Sequence, residues 1–260
     1  MSFIWFRGVR IACWCILLMG ILPAQAADTN EFLARIYTNA AHKTLPYRLL
    51  LPKGYDPKQA YPVVLYLHGA AGRGSDNAEP LNWGPLLWLE PAMRERHRFF
   101  LVVPQCPHNG GWLDSSWMGL GDARPGGPVR LALELVAEAL HREFNIDSKR
   151  RYLTGVSMGG HAVWVILVRQ PGFFAAAVPV CSGGSPTLVT DAARQCPVWA
   201  FHSDDDPLVP VEQARELVKA WRAHGGTAKY TECTGLKHSS WKRAYAEPEM
   251  FDWLFQQRLP

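Results

Sequence analysis

The sequence contains no block of basic residues, no internal repeat and no low-complexity linker, and these absences narrow its function. Without a Lys/Arg run, and with a net charge of only +4, the chain shows no nucleic-acid-binding signature. Beyond residue 26, no stretch is long and apolar enough to cross a membrane. The cysteines are few, and their spacings fit no zinc site. What remains is a composition typical of a globular protein, 48% hydrophobic and 19% charged.

The first 26 residues have the composition of a secretory signal peptide. Arg7 and Arg10 form a basic start, residues 11–22 are apolar, and A-Q-A at 24–26 is a small-residue cleavage site. A membrane anchor is the alternative, but the apolar run is shorter than the about 20 residues that a spanning helix needs. We therefore predict a secreted or periplasmic protein, without stable membrane insertion after cleavage, in which residues 27–260 form a single domain.

The cysteines that follow the signal peptide are even in number, which permits disulfides in an exported protein. A domain of this size does not need them, however, and three of the four border predicted core strands. We favour buried free thiols over disulfides, and the sequence leaves the choice open for Cys106, Cys181, Cys196 and Cys233.

Short apolar runs alternate with amphipathic segments along the chain, which predicts strands alternating with helices. The predicted strands are 45–51, 61–67, 99–103, 151–154, 175–180, 197–201 and 228–232. The predicted helices are 81–93, with breaks at Pro85 and Pro91, and 129–144, 161–168, 211–224 and 249–257. Residues 28–41 read as a mixed lead-in and 108–128 as a long loop. This alternation predicts an α/β protein with a mostly parallel central sheet and helices on both faces. In such sheets the functional site lies at the carboxyl ends of the strands.

The motif G-V-S-M-G-G at 155–160 lies where a predicted strand turns into a predicted helix. G-x-S-x-G in that context predicts a nucleophile elbow, with Ser157 lifted clear of the sheet edge. The alternative is an ordinary glycine-rich turn in which Ser157 only caps the helix.

A serine hydroxyl needs a base to take its proton and an acid to orient the base, and in elbow proteins they follow in the order Ser, acid, His. His238, in the loop after the last predicted strand, is the predicted base, because His224 stands at a helix end. Three carboxylates, at 204–206, follow the preceding strand. Asp206 is favoured because Pro207 makes its backbone rigid, whereas Asp204 and Asp205 suit local turn bonding.

An acyl-transfer intermediate also needs two donors for its oxyanion. We predict the backbone N–H groups of Met158, which follows the nucleophile, and of Ala70, in the glycine-rich loop after strand 61–67. A phosphate loop is the alternative for that segment, but it lacks the Lys-Ser/Thr ending, and His68 is expected to brace the loop. Trp112, with Trp83 and Trp117, is predicted to line a substrate pocket, the alternative being scattered surface tryptophans.

Taken together, these motifs resemble an α/β-hydrolase of the serine carboxylesterase type. The motifs are L-H-G-A-A-G-R-G at 67–74, P-Q-C-P at 104–107, the elbow, H-S-D-D-D-P-L-V-P at 202–210, and K-H at 237–238. They are most similar to the branch with feruloyl and acetylxylan esterases, polyhydroxybutyrate depolymerase-like proteins and dienelactone hydrolase relatives. The resemblance implies the α/β-hydrolase fold, a Ser157, Asp206 and His238 triad, and no metal or cofactor. His161 departs from the smaller or tyrosyl residue expected there, and it could touch the pocket.

Three functional hypotheses follow, of which the leading one is an exported serine esterase acting on a small-molecule or polymer-derived ester. A peptidase of the prolyl oligopeptidase type is the second, although the chain has no room for the usual propeller domain. A non-catalytic binding module on a hydrolase scaffold is the third, although such proteins usually lack a triad member. The sequence does not determine the acyl group, the alcohol group or the oligomeric state.

Overall fold

An eight-stranded sheet forms the centre of the protein. The computed structural model describes residues 29–114 and 123–260, so the predicted signal peptide at 1–26 and Trp117 lie outside the described residues. The strands are β1 (Phe32–Thr38), β2 (Thr44–Leu50), β3 (Tyr61–Leu67), β4 (Phe100–Pro104), β5 (Ile146–Val156), β6 (Ala176–Val180), β7 (Val198–Ser203) and β8 (Ala228–Cys233). Their order across the sheet is β1-β2-β4-β3-β5-β6-β7-β8. β2 is antiparallel to β1 and β4, and every other neighbouring pair is parallel. The predicted α/β fold with a mostly parallel sheet is confirmed.

Helices cover both faces of this sheet. They are α1 (Pro91–Arg96), α2 (Gly127–Glu134), α3 (Met158–Arg169), α4 (Val211–Ala223), α5 (Trp241–Ala244) and α6 (Pro248–Gln256). The buried residues of α2, α3 and α4 pack with Val63 and Leu65 of β3 in one core cluster. Those of α1, α5 and α6 pack with Val64 and Tyr66 of the same strand in the other. Because successive side chains of a strand point to opposite faces, β3 contributes to both clusters and is buried along its whole length.

Five segments differ from the sequence-based expectation. β5 begins at Ile146, five residues before the predicted strand, and α5 has no predicted counterpart. The lead-in at 28–41 contains β1, an edge strand that is mostly exposed and therefore lacks a clear apolar pattern. The helix predicted at 81–93 is instead two short 3-10 helices, Glu79–Asn82 and Pro85–Leu89, followed by α1, because proline donates no backbone hydrogen bond and restarts the helix each time. The helix predicted at 129–144 begins two residues earlier, as α2, and continues as a π turn and a 3-10 turn.

Among residues 29–114 and 123–260, none of the helices combines the length and the apolar character that a membrane span requires.

Candidate active site

Ser157 occupies the sharp turn between β5 and α3. Its backbone has φ 56° and ψ −117°, a left-handed conformation that is strained for a residue with a side chain. Close packing requires the neighbouring glycines: a Cβ on Gly159 would lie 2.0 Å from the carbonyl oxygen of Leu67, and one on Gly155 would lie 2.6 Å from that of Gly159. The turn is thus a nucleophile elbow in geometry as well as in sequence.

The structure brings Ser157, His238 and Asp206 together, although they are far apart in the chain. The Oγ of Ser157 lies 2.8 Å from Nε2 of His238. Nδ1 of His238 lies 2.7 Å from Oδ2 and 3.0 Å from Oδ1 of Asp206. This hydrogen-bonded chain has the order and orientation of a serine–histidine–aspartate triad, in which the imidazole can take the serine proton.

Asp206 is held as a buried anion. Its side chain is fully buried, and its Oδ1 accepts the backbone N–H groups of Leu208 at 2.9 Å and Val209 at 3.0 Å. Burial alone would raise the pKa of this carboxyl group. Hydrogen bonds from His202, His238 and the two backbone N–H groups outweigh burial and hold the pKa well below its usual range. Asp206 is therefore ionised at neutral pH, as the acid of such a triad must be.

The two neighbouring carboxylates serve the turn, as expected. Asp205 is exposed, and its Oδ1 accepts the Ser203 hydroxyl at 2.6 Å and the backbone N–H of Lys237 at 2.9 Å. Asp204 is also exposed and accepts the Thr234 hydroxyl at 3.0 Å. Both carboxylates thus join the loop after β7 to the loop that carries the histidine, and neither contacts the imidazole.

The two residues predicted to supply the oxyanion donors line the same cleft as Ser157. Met158 is the first residue of α3 and Ala70 is the first residue of the 3-10 helix Ala70–Gly72. First residues of helices have backbone N–H groups with no acceptor inside the helix, so both groups are available to a ligand. The Nη2 of Arg73 contacts Sδ of Met158 at 3.1 Å, which fixes one donor segment against the other.

His68 braces the loop that carries Ala70. Its Nδ1 lies 2.7 Å from the carbonyl oxygen of Gly69, and its Nε2 accepts the backbone N–H of Cys106 at 3.2 Å. Burial is the main cause that lowers the pKa of His68 to about 4, the hydrogen bond to the Gly69 carbonyl oxygen opposes it, and the charge of Arg73 adds to it. The imidazole of His68 is therefore neutral, supports the loop and does not face the cleft.

Trp112 supports the same loop from beneath. It is fully buried, its Nε1 donates to the carbonyl oxygen of His68 at 2.8 Å, and its ring packs on the imidazole at 4.7 Å between centroids. This placement corrects the expectation that Trp112 lines the substrate pocket. A buried indole N–H needs an acceptor, and here it donates to the loop instead of facing the cleft. Trp83 is 41% exposed and does not line the cleft either.

The cleft in front of the serine has a volume of about 240 Å³. Its walls are mainly apolar, with a cation at one side, and are formed by Ala70, Arg73, Met158, His161, Leu208 and Val209 around Ser157 and His238. His161 thus reaches the pocket, as its unusual position suggested. Its Nδ1 lies 2.6 Å from the carbonyl oxygen of Gly183, and burial is the main cause that lowers its pKa to about 4.

All four cysteines of the described residues are buried free thiols, in agreement with the favoured alternative. The described residues contain no group of three or more His, Cys, Asp or Glu side chains arranged to hold a metal ion.

Two residues of the site were not assigned a role from sequence. His202 lies at the end of β7 and contacts Asp206 from within the protein. Arg73 contacts Met158 from the loop after β3. The available signal was a histidine and an arginine inside the motifs at 202–210 and 67–74, but the direction in which each side chain points is a property of the fold.

Comparison with known proteins agrees with this geometry. Residues 117–247 match the dienelactone hydrolase family. The probable feruloyl esterase C of Aspergillus terreus is 26% identical over 180 residues, which is 69% of this chain and 62% of that protein. The bifunctional acetylxylan esterase/xylanase of Neocallimastix patriciarum is 26% identical over 62% of this chain and 22% of its own length. The chain thus spans less than two thirds of these relatives.

Solved structures show the same fold. A crystal structure of a thermostable esterase superposes with a TM-score of 0.79 at 37% identity, covering 88% of this chain and 64% of that one. The feruloyl esterase module from Clostridium thermocellum, complexed with sinapinate, superposes with a TM-score of 0.62 at 18% identity, covering 87% of each chain.

Proposed function

This chain belongs to the dienelactone hydrolase family, and from that premise we propose that it cleaves carboxylic esters through an acyl-enzyme formed on Ser157. The observation that carries the proposal is the hydrogen-bonded chain from Ser157 Oγ through His238 to Asp206. The esterase names of its relatives support the same reaction class.

The first half of the proposed reaction transfers the acyl group to the serine. Nε2 of His238 takes the hydroxyl proton while Oγ of Ser157 attacks the ester carbonyl carbon. The carbonyl oxygen becomes an oxyanion and accepts the N–H groups of Ala70 and Met158. Collapse of this intermediate breaks the bond to the alcohol oxygen, which leaves with the proton from Nε2.

The second half releases the acid and restores the enzyme. A water molecule gives its proton to His238 and attacks the acyl carbon, and the new tetrahedral intermediate expels Oγ of Ser157, which recovers the proton. Asp206 stays ionised throughout and stabilises the imidazolium that forms twice in the cycle.

The cleft supports short or flat apolar substituents next to the scissile ester. Met158, Leu208 and Val209 provide apolar walls, and Leu208 is 63% exposed at the rim. An exposed apolar rim can receive part of a larger alcohol, such as a fragment of a polymer. We therefore propose small-molecule or polymer-derived esters as the substrate class.

We expect the protein to hydrolyse short-chain activated esters and to be labelled by a serine-directed phosphonate. Acetyl, butyryl, long-chain and feruloyl esters would be compared, with an amino-acid anilide to test the peptidase alternative. Mass spectrometry should place the phosphonate on Ser157, and Ser157→Ala is the control that takes up none. A folded protein that hydrolyses no ester and takes up no label would contradict the esterase function and favour a binding module.

We also propose that the protein is exported, on the composition of residues 1–26. The basic start, the short apolar segment and the A-Q-A site support this. N-terminal sequencing of material recovered outside the cytoplasm should find a chain that begins near Ala27. Retention of Trp14 in the mature chain would show an anchor instead.

A further inference from the structure

The carboxylate of Asp206 is contacted by two histidines, only one of which reaches the serine. His202 is fully buried, and its Nε2 lies 3.2 Å from Oδ2 of Asp206 and 3.0 Å from the carbonyl oxygen of Val209. Nδ1 of His238 approaches the same Oδ2 at 2.7 Å. We propose, on the premise of the function above, that His202 is a positioning residue that sets how strongly Asp206 supports His238.

The partners of His202 determine where its proton lies. The two atoms that face Nε2 are a carbonyl oxygen and a carboxylate oxygen, and both can only accept. Nε2 therefore carries the proton and donates to both of them. The other ring nitrogen, Nδ1, is buried and has no hydrogen-bond partner within the described part of the chain, so a second proton would have no acceptor there. His202 thus acts through a single N–H.

That N–H has two effects on Asp206. It withdraws negative charge from Oδ2, the oxygen that also accepts from His238, so the imidazolium of His238 is stabilised less than it would be by an unshared carboxylate. It also ties the carboxylate to Val209. Because Oδ1 is already held by the backbone N–H groups of Leu208 and Val209, the His202 bond removes the remaining rotational freedom of the carboxylate.

Other titratable groups lie around His202 and Asp206, but none of those described below replaces His202 as the donor to Asp206. His161 approaches from α3, and its Nδ1 is engaged by Gly183. Glu232 lies opposite His202 in the register of β7 and β8, and its carboxylate accepts from Arg215 and Tyr230. A carboxylate cannot donate to Asp206. Both groups stay unchanged in the variants below, so the difference between variants reports on His202.

Three substitutions separate the N–H from the bulk of the ring. His202→Met keeps an apolar side chain of similar size and removes the donor. His202→Gln can place its amide nitrogen near the position of Nε2, whereas His202→Asn is one methylene too short to reach it. Gln and Asn therefore form a matched pair that differs in reach and not in chemistry.

The direct readout is the NMR titration of the His238 ring, which needs no ester. We expect the midpoint of that titration to move to higher pH by about half a unit in the Met and Asn variants, because Asp206 then keeps more of its charge for His238. The Gln variant should return toward the wild-type midpoint. An unchanged midpoint in all three variants would overturn the proposal, whatever the protein does to esters.

Turnover provides the second readout. The number of serines that the phosphonate labels gives the concentration of competent sites. Turnover divided by this concentration gives kcat per competent site, so misfolded protein does not lower the value. We expect kcat to fall about tenfold in the Met and Asn variants, with KM unchanged and recovery in the Gln variant. The reason is that the carboxylate regains rotational freedom and holds the imidazole less well in line with Ser157, and this loss outweighs the added charge on Oδ2. Equal kcat for each labelled site in all proteins would show that His202 is only a structural residue. A shifted His238 midpoint in a protein without esterase activity would support His202 as a positioning residue and reject the proposed function.

Discussion

Replacing Asp206 with asparagine is expected to lower ester turnover by about 10⁴ while the protein stays folded, as the same change does in the serine-protease triad. The carboxylate contacts His238 Nδ1 through both oxygens, and no other acidic side chain of the described residues reaches that ring. The effect should appear in kcat, because substrate binding in the cleft does not involve Asp206.

The surrounding donors explain why the amide is harmful. The backbone N–H groups of Leu208 and Val209 hold Oδ1, and an asparagine would keep its oxygen there. Its NH₂ group would then take the place of Oδ2 and donate to Nδ1 of His238. That bond fixes the tautomer with the proton on Nε2, which leaves no lone pair toward Ser157. The nucleophile would thereby lose its base, because Nε2 of His238 could no longer accept the serine proton.

Asp204→Asn and Asp205→Asn are the matched controls, since they make the same chemical change in the same loop. Both side chains are exposed and serve the turn, so we expect turnover within a few-fold of wild type. Ester turnover of the three variants would be compared with Ser157→Ala, with circular dichroism to verify folding. If Asp205→Asn were inactive and Asp206→Asn active, the acid of the triad would be Asp205, one residue earlier.

The strands and helices that position the site were predictable because their apolar patterns are strong. β3, β4 and β6 are buried on both faces and read as continuous apolar runs, which is typical of a parallel sheet. β1 was not predictable, because an exposed edge strand needs no apolar pattern. The prediction for the region around α1 was wrong for another reason. The spacing of the prolines decides where each helical turn begins, whereas the apolar content of the segment indicates only that it is buried.

Residues within the site were predictable where the chemistry constrains them. Ser157 needs an elbow, and its two partners must follow in the loops at the carboxyl ends of later strands. Trp112 and His202 carry no such constraint, because a tryptophan or histidine can point toward the cleft or into the protein with the same neighbours in sequence. The carbonyl oxygen of His68, which is distant in sequence, orients the Trp112 side chain. The carboxylate of Asp206, which lies around a turn, orients the His202 side chain.

Acidification from pH 7 to pH 5 is expected to destabilise the fold through two buried histidines. The pKa values of His68 and His161 are lowered to about 4, first of all by burial. In the unfolded chain a histidine has a pKa of about 6.5. Between these values the unfolded state binds a proton at each site that the folded state does not, so the free energy of unfolding falls as the pH falls. Asp206 adds little to this change, because the stability that its lowered pKa provides is lost only as the pH falls below about 5.

The hydrogen bonds of His68 also predict that the free energy of unfolding falls on acidification. Its Nε2 accepts the backbone N–H of Cys106, and a proton on that nitrogen would place two donors against each other. The folded state must lose this contact before the ring can be charged. At pH 5 each histidine should therefore cost about 2 kcal/mol of stability relative to pH 7, or about 4 kcal/mol together, a large share of the 5–15 kcal/mol typical of a domain.

Denaturant unfolding followed by tryptophan fluorescence at pH 7 and pH 5 measures this loss. His161→Asn keeps a polar atom near the position of Nδ1 and removes the titrating ring, so its loss between the two pH values should be smaller by about 2 kcal/mol. His108→Asn is the matched control, because His108 is exposed and meets water in both states. A loss equal in all three proteins would show that His161 does not carry the acid sensitivity. Stability that rises on acidification would contradict the neutral, buried state of both rings.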